Sequence, residues 1–342
     1  MPVGSSRVRV LTSADLAENF DLADLVDMVQ EGYTAAALGD LVERPRDQLD
    51  ASNTKTVISV CPAIWAEASS VGVYMYTGGN RGQAVPQKVM MLFRTEDGGL
   101  EAIIESGWLS WARTGASGAV ATRALGRADA QTLGIIGTGR QARAQVAALT
   151  ATRRYTAAFC FGRDEGRRTA FAEDMQRRYG IAMTPLPSAE EVVERCDVLC
   201  TTTNSRTPVF DGAALRPGTH INAIGQHYPD RRELDTRTVA GARLYADRVE
   251  RARTEDGELA IPLTETSAPE LSVLGSVGDV LTGRCPGRSS DDDITVFLSG
   301  GTSGEYLSVA HAVARRADER GFGTTIELSP GWSDATPPAA TI

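Results

Sequence analysis

The segment Thr132 to Gly139, TLGIIGTG, limits what this chain can fold into more than any other stretch. An apolar run of strand length ends in glycines and is followed by RQARAQVAALTA, which reads as a helix. Strand, tight turn and helix in that order open a βαβ unit. The second strand is expected over Tyr155 to Phe161, and Glu165 to Arg178 reads as a helix with a polar face. Asp197 to Thr203, His220 to Ile224 and Arg243 to Asp247 are further short apolar strands, separated by helical or Pro/Gly-rich segments. Such alternation predicts a doubly wound parallel sheet of Rossmann type, with helices on both faces.

Within this unit, Gly137, Gly139 and Ala142 give G-x-G-x-x-A directly after a strand. Glycine there lets the backbone turn sharply and approach a pyrophosphate held at the helix N-terminus. Cofactor contacts are therefore expected from Gly137, Thr138, Gly139, Arg140 and Gln141. Later strand ends and loops add Thr203, Asn222, Ile224, Arg231 and Ser299. At the end of the second strand an NAD-specific site usually carries an acid for the ribose hydroxyls, but this chain has Phe161-Gly162-Arg163. Gly162 and Arg163 suit a 2′-phosphate, so NADP(H) is preferred, with NAD(H) as the alternative. Arg167 and Arg168 follow within a helical turn, and Asp164 dilutes the positive charge.

The texture before Arg123 differs: Leu22 to Leu38 is an amphipathic helix, and Thr56–Val60, Val71–Tyr76, Lys88–Phe93 and Leu100–Glu105 are strands. A final helix is expected over Ser303 to Arg320, returning to pack on the first domain, and the tail GWSDATPPAATI reads as an unstructured end. The expected layout is a mixed α+β dimerisation and substrate domain from residues 1–122 and 302–342, with a Rossmann domain at 123–301. A net charge of −9 argues against nucleic acid as a partner. No window approaches the roughly 18 apolar residues of a membrane span, and no secretory signal is read at the N-terminus, so the expected compartment is the cytoplasm. The five cysteines are read as buried free thiols, and the three histidines have no metal-ligand spacing.

The run ESGWLSWARTGASGAVATRALGRADAQTLGIIGTGRQARAQ resembles the segment of ornithine cyclodeaminases and mu-crystallins that enters their Rossmann domain, and RPGTHINAIGQHYPDRRELD resembles their later strand and loop. TEDGE, LTGRCPGRSSDDDITVFLSGG and the final helix extend the similarity over roughly Leu11 to Gly321. The resemblance implies a homodimer and a nicotinamide-dependent interconversion of amines and imines of small amino acids. It also implies that Arg46, in ERPRDQ, and Arg113, in LSWARTG, hold a substrate carboxylate, with Thr114 beside the cofactor. Arg44 is the alternative to Arg46.

Three polar positions depart from the family pattern. Its substrate-binding lysine is replaced by Tyr74, its catalytic aspartate by His227, and its E-D at the head of the last helix by Glu305-Tyr306. Lys88 reads as an exposed lysine, with replacement of the lost cation as the alternative. Loss of the aspartate removes the group that would deprotonate a substrate amine. The expected activity is therefore an NAD(P)-dependent imine reductase or amino-acid dehydrogenase acting on a small carboxylated imine or amine, with Tyr74 or His227 managing a proton. The alternatives are an altered cyclodeaminase and a mu-crystallin-like cofactor-binding protein with little catalysis.

Overall fold

The computed structural model describes residues 6–51, 56–78, 87–225, 228–265 and 271–328. The chain begins with β1 (Ser6–Leu11), α1 (Ser13–Asn19) and α2 (Leu22–Leu38). Asp21 caps α2 by accepting from the Asp24 N–H, and Gly39 ends it at φ 88°, a left-handed turn that glycine adopts without strain. There follow β2 (Leu41–Glu43), β3 (Asp47–Ala51), β4 (Thr56–Trp65), β5 (Ser70–Gly78), β6 (Lys88–Arg94) and β7 (Leu100–Glu105). Along β5 and β6 buried residues alternate with less buried ones, the mark of a sheet with one covered face.

After β7 the chain enters α3 (Ser106–Leu125), which is buried on nearly every side. Its small residues permit this: a Cβ added at Gly115 would lie 2.4 Å from the carbonyl oxygen of Ala144. That carbonyl belongs to α4 (Arg140–Thr152), which follows β8 (Thr132–Ile136) as the glycine turn predicts. The expected boundary between residues 122 and 123 falls inside α3, so the chain passes toward its second sheet within an unbroken helix.

The second part continues with β9 (Ala157–Phe161), α5 (Glu165–Tyr179), β10 (Met183–Pro185), α6 (Ala189–Val193), β11 (Val198–Thr201), β12 (His220–Ala223), α7 (Thr236–Gly241) and β13 (Arg243–Ala246). Then come α8 (Val249–Glu255), α9 (Gly257–Glu265), β14 (Val273–Ser276), α10 (Val277–Leu281) and β15 (Thr295–Leu298). Its strands lie in the order β10-β9-β8-β11-β12-β15-β13-β14, with every pair parallel. The order reverses between β8 and β11, where a doubly wound sheet opens its crevice.

The chain then returns through α11 (Ser303–Arg320) and β16 (Thr324–Leu328). A capping box between Thr302 and Glu305 starts α11. The first sheet runs β16-β1-β7-β6-β5-β4-β2, with β3 also on β4, so the two ends of the described chain pair as antiparallel neighbours. Leu307, Ala310, Val313 and Ala314 of α11 are all buried in the chain's own core. Cys61, Cys160, Cys196 and Cys200 are buried as expected, but Cys285 is only half-buried, because it sits on a turn beside Gly275 rather than in either sheet. The tail beyond Leu328 lies outside the described residues.

Candidate active site

A cavity of about 1100 Å³ opens at the ends of β8, β9 and β11. Gly137 turns the chain at φ 103°, a backbone that favours glycine, and it packs against Thr202. Gly139 is the N-cap of α4 and makes no side-chain cap; a Cβ placed there would meet no atom of the described residues within 4 Å. The free amides at the head of α4 and the space over Gly139 form a cradle in which a pyrophosphate fits.

Thr114, Gly137, Thr138, Gly139, Arg140, Gln141, Gly162, Arg163, Thr203, Ile224 and Ser299 all line this cavity. Two expected members do not. Asn222 is fully buried and donates to Thr122 Oγ1 at 2.8 Å, because its side chain points from β12 toward α3 instead of along the strand end. Arg231 turns away, ion-paired to Asp230 at 3.1 Å and stacked over Tyr228. At the end of β9, Arg163 and Arg167 both line the cavity with Asp164, whose carboxylate accepts from the Arg167 N–H. Arg168 has a structural partner instead, the Gly162 carbonyl at 3.2 Å.

A second cavity, of about 280 Å³, shares Arg113, Gln141, Gly300 and Gly301 with the first. Asp247 holds this shared wall, accepting from the N–H groups of both Gly300 and Gly301 at 2.6 Å. Arg113 is 8% exposed. It donates to Glu305 Oε2 at 2.7 Å and to Tyr306 Oη at 2.9 Å, while its Nε has no hydrogen-bond partner among the described residues. Burial opposes its charge, but Tyr306 and Glu305 more than offset that, so the guanidinium stays charged. Gln141 Oε1, on the same wall, is also buried without a partner among the described residues.

Arg46 and Tyr74 line the smaller cavity as well. Arg46 donates to Tyr76 Oη at 3.1 Å and pairs loosely with Glu255 at 3.5 Å. Tyr74 is 2% exposed and stacks on Tyr306 with ring centroids 3.6 Å apart. Burial and the neighbouring Tyr306 push its phenol well above the ordinary range. Lys88 is not the exposed residue expected: it is half-buried on the cavity wall, where β6 meets α3, and it donates to Ser110 Oγ at 3.2 Å. His227 lies outside the described residues.

Sequence reasoning missed Glu43, Ser110 and Glu255 as cavity residues, whereas Tyr306, noted as a departure from the family pattern, lines the same cavity. Ser110 stands a helical turn before Arg113 and Thr114, so helix periodicity alone could have found it. Glu43 carried no such signal, because its place depends on the head of α11, where it accepts from the Gly304 N–H at 2.6 Å.

With this geometry in view, residues 7–321 match the profile of the Ornithine cyclodeaminase/mu-crystallin family. A Delta(1)-pyrroline-2-carboxylate reductase of Bacillus cereus is 31% identical over 321 residues, covering 91% of this chain and 98% of the relative. The Delta(1)-pyrroline-2-carboxylate reductase of Thermococcus litoralis, solved with NADH and L-proline, matches with a TM-score of 0.87 and 28% identity, covering 93% of this chain and 100% of that one. An archaeal alanine dehydrogenase dimer with bound NAD gives a TM-score of 0.87 at 28% identity, with 94% and 100% coverage. The chain therefore belongs to the ornithine cyclodeaminase/mu-crystallin family.

Proposed function

We propose that this chain is an NAD(P)-dependent reductase of small carboxylated imines, running in reverse as an amino-acid dehydrogenase. The observation that carries the reading is that Arg113 lines both cavities, so one buried guanidinium stands where a nucleotide site and a substrate site meet. The cofactor cradle fits on three counts: the open space over Gly139, the free amides of α4, and the unpartnered Gln141 Oε1 at the junction. When bound, the nicotinamide supplies or accepts a hydride. Gly137 to Gln141 would hold its pyrophosphate, and Thr114, Ile224 and Ser299 would line the remainder of the site.

The chain's own residues position the substrate. Arg113 presents a forked donor set that suits a carboxylate, and Arg46 offers a second in the same cavity. The stacked Tyr74 and Tyr306 rings exclude water and flatten that part of the cavity, which favours a planar C=N group. Relatives named pyrroline-2-carboxylate reductase and alanine dehydrogenase support a substrate with a carboxylate next to the reacting carbon. Arg163 and Arg167 favour NADP(H) over NAD(H) through the 2′-phosphate. A homodimer is part of the reading, supported by the dimeric alanine dehydrogenase. Among the described residues no helix is long and apolar enough to cross a membrane. The test is nicotinamide oxidation with cyclic and acyclic carboxylated imines: turnover that requires the carboxylate supports the reading, and cofactor binding without turnover of any of them defeats it.

A further inference from the structure

The smaller cavity holds one cation below the surface that no carboxylate neutralises among the described residues. Arg113 is paired with Glu305, Arg46 with Glu255, Arg248 with Glu250, and Arg251 with Asp247 and Asp256; Arg44 is exposed. Lys88 has only neutral partners. Its Nζ donates to Ser110 Oγ at 3.2 Å and lies 5.7 Å from the centre of the Tyr76 ring. Ser110 Oγ is in turn 3.1 Å from Tyr306 Oη, the hydroxyl that also contacts Arg113. A short chain of hydrogen bonds thus joins the lysine to the carboxylate anchor.

We propose that Lys88 is the general acid that protonates the substrate nitrogen. The inference rests on the imine-reductase reading above. In that reaction hydride from the reduced nicotinamide adds to the imine carbon, and the C=N π pair moves to nitrogen. The nitrogen takes a proton from Nζ, leaving the amine product, the oxidised cofactor and a neutral lysine that water reprotonates.

Several other described groups of the cavity are poorly suited to release a proton. Guanidinium groups do not release protons near neutrality, which removes Arg46 and Arg113. Tyr74 is held far above the ordinary phenol range, and burial pushes the Cys61 thiol up to about 11. Glu43 is pushed up to about 7 by burial, but its Oε2 is committed to the Gly304 N–H. Glu255 is held by Arg46. Lys88 is pulled down to about 8, first by burial and then by the charges of Arg113 and Arg140. Among the described residues, Lys88 contacts Ser110 of α3 and the Tyr76 ring of β5, and it feels the charges of Arg113 from α3 and Arg140 from α4. None is an anion that would restore an ordinary lysine. A donor that titrates near the working pH is what proton transfer requires.

The experiment uses the purified full chain, Lys88→Gln and Lys88→Arg, assayed for carboxylated-imine reduction from mildly acidic to alkaline pH. Binding of the non-reducible planar carboxylate pyrrole-2-carboxylate and of the cofactor is measured alongside. In the wild type, kcat should fall as pH rises through about 8, because the acid is lost when Lys88 deprotonates. Both variants should lower kcat by ~100-fold or more, lose that alkaline limb, and keep analogue and cofactor binding. Recovery of wild-type kcat in Lys88→Arg, or loss of analogue binding with kcat intact in Lys88→Gln, would make Lys88 a carboxylate anchor and overturn the proposal. A wild type with no alkaline limb overturns it without any variant. A wild type that reduces no carboxylated imine defeats the functional reading itself, whereas an active wild type with an equally active Lys88→Gln defeats only the role of Lys88.

Discussion

Arg113 Nη1 lies 2.7 Å from Glu305 Oε2 across the seam between α3 and α11. Glu305 is 1% exposed and also accepts from Tyr33 Oη and Ser117 Oγ, so the pair is embedded in donors on the carboxylate side. The retained acid of the family's E-D pair is therefore Glu305, which holds the guanidinium at the wall shared by the two cavities, while the departed position, Tyr306, supplies the hydroxyl that also accepts from Arg113.

The first prediction concerns that pair. Glu305→Ala leaves Arg113 buried without its counter-charge and should cost about 3–5 kcal/mol of stability, read as a lowered Tm. Arg113→Lys keeps the charge but loses the fork. Its kcat/KM for a carboxylated imine should drop by ~100-fold while cofactor binding is kept. Full activity in Arg113→Lys would show that the forked geometry does not hold the substrate.

The two glycines of the turn should fail in different ways. At Gly139 an added side chain meets open space, so Gly139→Val should fold normally and lose nucleotide binding by a factor of ~100 or more, measured by nicotinamide fluorescence. At Gly137, with φ 103°, a Cβ would lie 2.7 Å from Thr202 Oγ1, so Gly137→Ala should lower Tm as well. Normal affinity in Gly139→Val would remove the dinucleotide site from the account.

Much of this was legible in the sequence because it depends on local periodicity. The βαβ unit, α2 and α11 follow from strand alternation, helical spacing and caps, and α2 and α11 begin and end where that spacing predicts. What was not legible depends on contacts between distant segments. Asn222 sits at a strand end like its cavity-lining neighbour Ile224, and only the packing of α3 shows that it bonds Thr122 instead. Lys88 heads a strand and reads as exposed, but the approach of α3 over β6 covers it. The pairing of β1 with β16 joins residues more than 300 positions apart, a relationship that short apolar runs cannot announce.

Cofactor choice should turn on Arg163. It is exposed on the cavity rim with Arg167, and a guanidinium there suits a 2′-phosphate. Arg163→Ala should weaken NADPH by ~10-fold and leave NADH nearly unchanged, a contrast that calorimetry resolves. Equal losses for the two cofactors, or tighter wild-type binding of NADH, would assign Arg163 another role.

Apolar side chains stand exposed on the first sheet. Val42 and Ile64 are paired across β2 and β4 and are 61% and 49% exposed, and Leu49 on β3 is 70% exposed. Patches of this kind on soluble proteins mark interfaces. The account expects a homodimer by light scattering at micromolar concentration, dissociated by Ile64→Lys. The helix α11, expected from sequence to share the interface, spends its apolar face inside its own chain, so its contribution should be limited to charged residues such as Arg315 and Glu319. A monomeric wild type would contradict the interface.

The proposed activity is reduction of carboxylated imines and not cyclisation of diamines with loss of ammonia. One comparison tests it most directly: purified wild type given Δ1-pyrroline-2-carboxylate with NADPH or NADH, and separately L-ornithine with the oxidised cofactors, with nicotinamide absorbance and ammonia followed in each. Cofactor oxidation with formation of proline is expected in the first case and negligible ammonia in the second. Rapid ammonia release from L-ornithine, with no nicotinamide oxidation by the imine, would contradict it.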